Sequence, residues 1–106
     1  MTYDIAFEAL GDATRRQLLS QLRNGPCSVA GLAAGLPVSR PAVSQHLKIL
    51  KEAGLVTDEA AGARRLYRAA PGGMRALRTW LDDFWNQVFA DYEAEIQRQM
   101  DERRYT

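Results

Sequence analysis

One cysteine and one histidine are all that this 106-residue chain has of the side chains that build disulfide frameworks and soft-metal centres. Cys27 alone closes no intramolecular disulfide, which fits a reducing compartment, so a cytoplasmic location is expected. No run is long and apolar enough to cross a bilayer, so membrane insertion is not expected. The opening MTYDIAFEAL carries acids and lacks a cationic n-region, so no signal peptide is expected. Neither charge sign dominates: the net is +1, which by itself points to no partner. Catalytic equipment is missing too. There is no nucleophile with a base partner, no metal cluster and no phosphate loop, so an enzyme is not expected. Repeats, low-complexity stretches and linkers are also lacking, and the length allows one domain, 1–106.

The charge that is present is unevenly placed. Residues 40–68 hold Arg40, Lys48, Lys51, Arg64, Arg65 and Arg68 against Glu52, Asp58 and Glu59, a net of +3. Residues 71–106 hold five arginines against seven acids, a net of −2. A basic patch in the middle of the chain is therefore the footprint to follow.

Residues 3–10 read as a short helix with Tyr3, Phe7 and Leu10 on one face. Gly11 breaks it, and Asp12 caps a second helix whose Leu18, Leu19 and Leu22 face inward. Gly25-Pro26 ends that helix, since glycine accepts a left-handed conformation and proline cannot continue the ladder. Ser28 starts a third helix, with Val29 and Leu32 as its buried pair. After the turn Leu36-Pro37-Val38, Ser39 caps a fourth helix, 39–53, with Pro41 in its first turn, where a missing N–H costs little. Two helices joined by so short a turn make a helix-turn-helix. The segment 55–69, with Gly62 between strand-forming ends, reads as a hairpin. Pro71-Gly72-Gly73 reads as a break before a long helix, 74–100. The fold expected is mainly α with a small β-hairpin, a winged helix-turn-helix.

The fourth helix is unusual in what it shows to solvent. Val43, Leu47 and Leu50 fall at helical spacing, while Ser39, Arg40, Ser44, Gln45 and Lys48 lie between them, polar and without an acid.

LGDATRRQLL, SRPAVSQHLKILKEAGLV and the arginine-rich GARRLYRAAP together resemble the ArsR family of bacterial winged-helix repressors, over about Phe7 to Trp85. The ending LRTWLDDFW resembles the autorepressor branch rather than the metal sensors. The resemblance implies a homodimer that binds double-stranded operator DNA, often of its own operon. In the autorepressor branch a membrane-bound protein can sequester the repressor, so a protein anti-repressor is a compatible partner. Metal sensors of the family usually carry ELCVCDLA in the third helix. With Gly31, Leu32 and Ala33 set on its DLA, Ser28 and Ala30 take the two cysteine positions, Cys27 falls one residue off, and the long helix has no histidine. Soft metals need several thiolates or imidazoles, so no metal sensing and no cofactor are expected.

A helix fits the major groove, with side chains near its N-terminus reaching base edges. Arg40 suits a guanine in bidentate fashion and Gln45 an adenine. Ser39, Pro41 and Ser44 share that end; the serines permit close approach, and Lys48 lies one turn on. Arg64 and Arg65 follow Gly62 at the hairpin tip, where a wing meets the backbone or minor groove. A charged edge strand is the plainer alternative for that pair. Lys51 is a phosphate contact or a bystander, and Arg68 lies nearer the wing base. His46 is expected to make a structural hydrogen bond, and Cys27 to be a small buried or half-buried residue. Asp82-Asp83 reads as a solvated face, because helix neighbours point about 100° apart.

On the long helix, Leu77, Trp80, Leu81, Phe84, Trp85, Val88, Phe89, Tyr92 and Ile96 span roughly 180° of the wheel. One core contact needs a stripe of only about 100°. A second subunit is expected to cover the excess, with Trp80, Phe84, Val88, Phe89 and Tyr92 joined by Phe7 and Leu10 of the first helix. Two alternatives stay open: a winged-helix module whose aromatic helix binds another protein, and a repressor with a small-molecule pocket lined by the tryptophans.

Overall fold

The computed structural model describes residues 2–104, with side chains from residue 4 onward, so the face assigned to Tyr3 lies outside the described side chains. Helix α1 spans Thr2–Leu10, α2 Ala13–Leu22, α3 Val29–Ala34 and α4 Arg40–Glu52. Strands β1 (Val56–Ala61) and β2 (Arg64–Ala69) form an antiparallel hairpin, and α5 runs from Pro71 to Arg104. Each inner helix starts where a side-chain oxygen takes up an orphan amide. Asp12 accepts from the amide of Arg15 at 3.1 Å, Ser28 from Gly31 at 3.1 Å and Ser39 from Ala42 at 3.3 Å.

The core lies where α2, α3 and α4 meet the base of the hairpin. Leu18, Leu32, Val43, Leu47, Leu50, Leu55 and Val56 are its fully enclosed side chains, with Leu22 and Leu77 beside them. Leu19 and Val29 sit half-buried against it. The exit from α4 is a Schellman motif. Gly54 takes φ +76°, its amide donates to Lys51 O at 3.0 Å, and the Leu55 amide donates to Leu50 O at 2.9 Å. Leu55 is thereby driven into the core, and the next residue opens the wing. Cys27, half-buried, exchanges both backbone hydrogen bonds with Tyr67, at 2.9 and 2.8 Å, and so ties the α2–α3 connection to β2.

The long helix corrects an expectation. It begins at Pro71, not at 74, and reaches Arg104, so Pro71-Gly72-Gly73 is its first turn rather than a break. Proline is tolerated there because its missing N–H would have had no partner in the helix. Gly73 has a packing reason. It is buried against the α4 exit, its amide donates to Gly54 O at 3.0 Å, and a Cβ on it would stand 2.8 Å from both Ala53 O and Gly54 O.

Beyond the contact of Trp80 with Phe7, α5 leaves its own domain. The chain measures 76 × 25 × 23 Å with a radius of gyration of 20.5 Å, against about 13 Å for a compact chain of this length. A 34-residue helix is about 51 Å long at 1.5 Å per residue, and that projection accounts for the elongation.

Two neighbouring glycines should respond oppositely to alanine. Alanine gains about 1 kcal/mol over glycine in a helix, and nothing lies within 4 Å of a Cβ at Gly72. Gly72→Ala should therefore be neutral or stabilising. Gly73→Ala should lose about 1–3 kcal/mol in urea denaturation, because overpacking against fixed backbone outweighs the propensity gain.

Candidate nucleic-acid interface

The buried stripe Val43, Leu47 and Leu50 sets the roll of α4 about its axis, and the opposite face must then point out. Ser39, Arg40, Pro41, Ser44, Gln45 and Lys48 are all exposed. Arg40 and Lys48 make no hydrogen bond or ion pair with any described residue, so their charges are available. The Ser39 hydroxyl accepts from the Ala42 amide at 3.3 Å, which leaves its O–H and one lone pair for another partner.

His46 flanks this face, half-buried. Its Nδ1 lies 3.4 Å from Nη1 of Arg15. The same guanidinium donates through Nε to Ala9 O at 2.6 Å and through Nη2 to Glu8 O at 3.3 Å. Arg15 thus closes the carbonyl end of α1 and touches α4 with one side chain. The Arg15 amide, foremost, holds the Asp12 carboxyl below its usual range, with the charge of Arg15 adding to it. The sequence signals Arg15 only as one of two adjacent arginines after a cap, with nothing to mark its reach across three helices.

The wing differs from its simplest expectation. Its two-residue turn is Gly62-Ala63, with positive φ (+65°) at Gly62 only, the pattern of a type II′ hairpin. Register pairs Asp58 with Tyr67 and Ala60 with Arg65. Asp58 and Arg65 are therefore diagonal neighbours on one face. That face is the inner one, which carries buried Val56 and half-buried Tyr67. Asp58 meets two cations there: Nζ of Lys51 at 2.7 Å and Nη1 of Arg65 at 3.0 Å. Lys51 is thus an intramolecular partner rather than a free phosphate contact or a bystander, and Arg65 is held in the same way. On the outer face Arg68 is paired diagonally with Glu59 at 2.6 Å. Arg64 is exposed with no ion pair to a described residue. Arg64 and Arg65 border a hollow with Ser28, Val29 and Ala30, so the wing tip stands beside the start of α3.

On α5 and α1 the rings form a continuous ladder. Phe7 meets Trp80 edge-on at 5.2 Å, Trp80 stacks on Phe84 at 5.4 Å, Phe84 meets Trp85 at 5.4 Å, and Trp85 lies 6.2 Å from Phe89. The ladder is open to solvent: Trp80 is 39% exposed, Phe89 59% and Tyr92 65%. Val88 is half-buried, and Leu10 packs partly on the chain's own core. Trp80 also borders an open hollow with Ala76, Thr79 and Asp83. Asp82 faces Arg78 one turn back, at 3.8 Å.

Comparison with known proteins converges on one family. The family model "Bacterial regulatory protein, arsR family" matches residues 12–58. The HTH-type transcriptional regulator Rv2034 of Mycobacterium tuberculosis is 52% identical over 99 residues, 93% of this chain and 92% of that protein. The transcriptional repressor SdpR of Bacillus subtilis is 31% identical over 76% of this chain and 90% of its own length. Among solved structures, the homodimeric winged helix-turn-helix DNA-binding domain of Mb0332 from Mycobacterium bovis superposes with TM-score 0.66 at 25% identity, covering 83% of this chain and 82% of that one.

The Asp58 cluster has an acid signature. The hydrogen bond from Lys51, foremost, and that from Arg65 hold its carboxyl below the usual range, against the desolvation that opposes them. A depressed folded-state pKa gives stability that is complete above the unfolded value near about 4 and is lost as pH falls through the folded one. The protein should melt above its Asp58→Asn variant at neutral pH, with the gap closing below about pH 4. A gap that held constant into strong acid would show that the carboxylate charge is not what ties the wing down.

Proposed function

The chain belongs to the arsR family of bacterial regulatory proteins and is thus a DNA-binding transcriptional regulator, and from that premise we propose that it works as a homodimeric repressor of operator DNA that needs no metal. One observation carries the proposal: from Ser39 to Lys48 the outward face of α4 carries donors and short hydroxyls with no acid, held in place by a fully buried apolar stripe, and the exposed Ile49 and Glu52 follow only toward the end of the helix. Arg40 and Gln45 read base edges in the major groove, Ser44 permits the close approach, and Lys48 contacts phosphate or a base one turn on. Arg64 is the wing's free cation and takes the backbone beside that groove.

Dimerisation rests on the exposed ladder. Contiguous apolar surface of this extent is rare on a monomer, and the solved relative that shares this fold is described as homodimeric. Phe7, Trp80, Phe84, Phe89 and Tyr92 are the seam, with Val88 at its edge. Leu10 contributes to the domain's own core as much as to the seam. A two-fold axis through the seam sets two recognition helices about 34 Å apart and calls for a roughly palindromic site.

Repression is the outcome named for the Bacillus relative, and steric occlusion of a promoter by a bound dimer supplies it without further machinery. The proposal leaves metal out because the donors are one thiol and one imidazole, and the imidazole is engaged by Arg15. The cytoplasm is where such a dimer meets its operator, and a protein anti-repressor is the inducer that the autorepressor-like ending favours.

Arg40→Ala and Gln45→Ala should each relax preference at one base position, costing on the order of 1–3 kcal/mol for the matching operator. Arg64→Ala should weaken all duplexes alike. Unchanged affinity and preference in Arg40→Ala would remove that side chain from the readout. In sedimentation, Trp80→Ala and Phe89→Ala should both shift the dimer toward monomer. An intact dimer in both would place the seam elsewhere.

A further inference from the structure

Asp58 is an inward-turned acid within residues 40–68, whose net charge is +3, and its side chain is only 7% exposed. Its two partners come from different elements. Lys51 belongs to the last turn of α4 and Arg65 to β2, so one carboxylate on β1 joins the recognition helix to both strands of the wing. The other wing pair, Arg68–Glu59, is about half exposed on both sides and is screened accordingly. Building on the DNA-binding reading above, we propose that Asp58 is a specificity-determining positioning residue. It withholds Lys51 and Arg65 from sequence-independent phosphate contact and fixes the wing against the recognition helix.

The physical reason lies in how non-specific binding arises. Affinity for arbitrary duplex comes from lysines and arginines that neutralise phosphates and release condensed counterions. A cation already matched to a carboxylate at 2.7 or 3.0 Å must give up that partner to do so, and the enclosed position of Asp58 keeps the partner strong. Within residues 40–68 the positive charge without an acidic partner is thereby confined to Arg40, Lys48 and Arg64. Without Asp58, two more cations and a loosened wing would hold any duplex, and operator would stand out less from other DNA.

The test uses the full chain and fluorescence anisotropy on two duplexes, one carrying an operator selected from a randomised pool and one scrambled, over a range of salt. Asp58→Asn should bind scrambled duplex several-fold more tightly at low salt, with a log–log salt slope steeper by about one to two. Its operator-to-scrambled ratio should fall by about fivefold or more, the lower end of what one lost discriminating contact costs. Asp101→Asn adds the same single charge at the far end of α5 and should keep the slope and ratio of the unaltered protein. In a Lys51→Gln/Arg65→Gln background, Asp58→Asn should no longer move the slope. Lys51→Gln alone, which leaves the Asp58–Arg65 pair intact, should also keep the original slope; a slope shallower by about one would put Lys51 on phosphate and overturn the proposal. So would a folded Asp58→Asn variant indistinguishable from Asp101→Asn, or one whose wing amides exchange faster while discrimination is unchanged. An unaltered protein that selects no duplex from the pool would overturn the DNA-contact reading itself, an outcome separate from any behaviour of the variants.

Discussion

The burial of Val43, Leu47 and Leu50 is the constraint on which the rest of the structure hangs. A helix in solution has no preferred roll; α4 acquires one because three side chains a turn apart are enclosed completely. The face opposite them is then fixed in space, and it is the face with Arg40, Ser44, Gln45 and Lys48. Both ends of the helix are pinned as well, by the Ser39 hydroxyl at the start and the Schellman turn at Gly54 at the finish. That turn delivers Leu55 to the core and so fixes where the hairpin departs. The angle between recognition helix and wing is set by backbone hydrogen bonds before any charge is considered, and the Lys51–Asp58–Arg65 cluster then secures it.

The same small core explains why much of α5 is left uncovered by its own chain. Thirteen of the described residues are buried, and α5 contributes only Gly73 and Leu77 to them. Gly73 lets the helix start in contact with the α4 exit, which aims the remaining length away from the domain. Apolar rings along that length have nothing of their own chain to cover them past the edge of α1. In the proposed dimer, DNA contact and subunit contact are therefore mechanically connected. The turn that ends the reading helix is also the surface from which the dimer helix springs.

Much of this was legible in the sequence, and the limits are instructive. Caps announced themselves because Asp12, Ser28 and Ser39 stand immediately before apolar periodicity, and the hairpin turn announced itself at Gly62. The start of α5 did not, because Pro-Gly-Gly is the usual mark of a break. Only the close approach of Gly73 to the carbonyls of Ala53 and Gly54 shows why glycine is needed inside a helix there. Donor residues on α4 could be named from spacing alone. The state of the wing arginines could not, since a diagonal pair such as Asp58–Arg65 exists only once register is known, and Lys51 joins it only through tertiary packing. Arg15 escaped notice for the same reason: its three partners come from α1 and α4.

The central claim is that two copies of this chain, joined along α5, present two α4 helices to one operator. A stoichiometric titration on a labelled duplex from the gene's own upstream region, read by anisotropy and by sedimentation of the complex, tests it most directly. Saturation at two chains per duplex, with strong preference over a scrambled duplex, is the result predicted. Saturation at one chain per duplex, or a folded dimer that selects no sequence from a randomised pool, would contradict it.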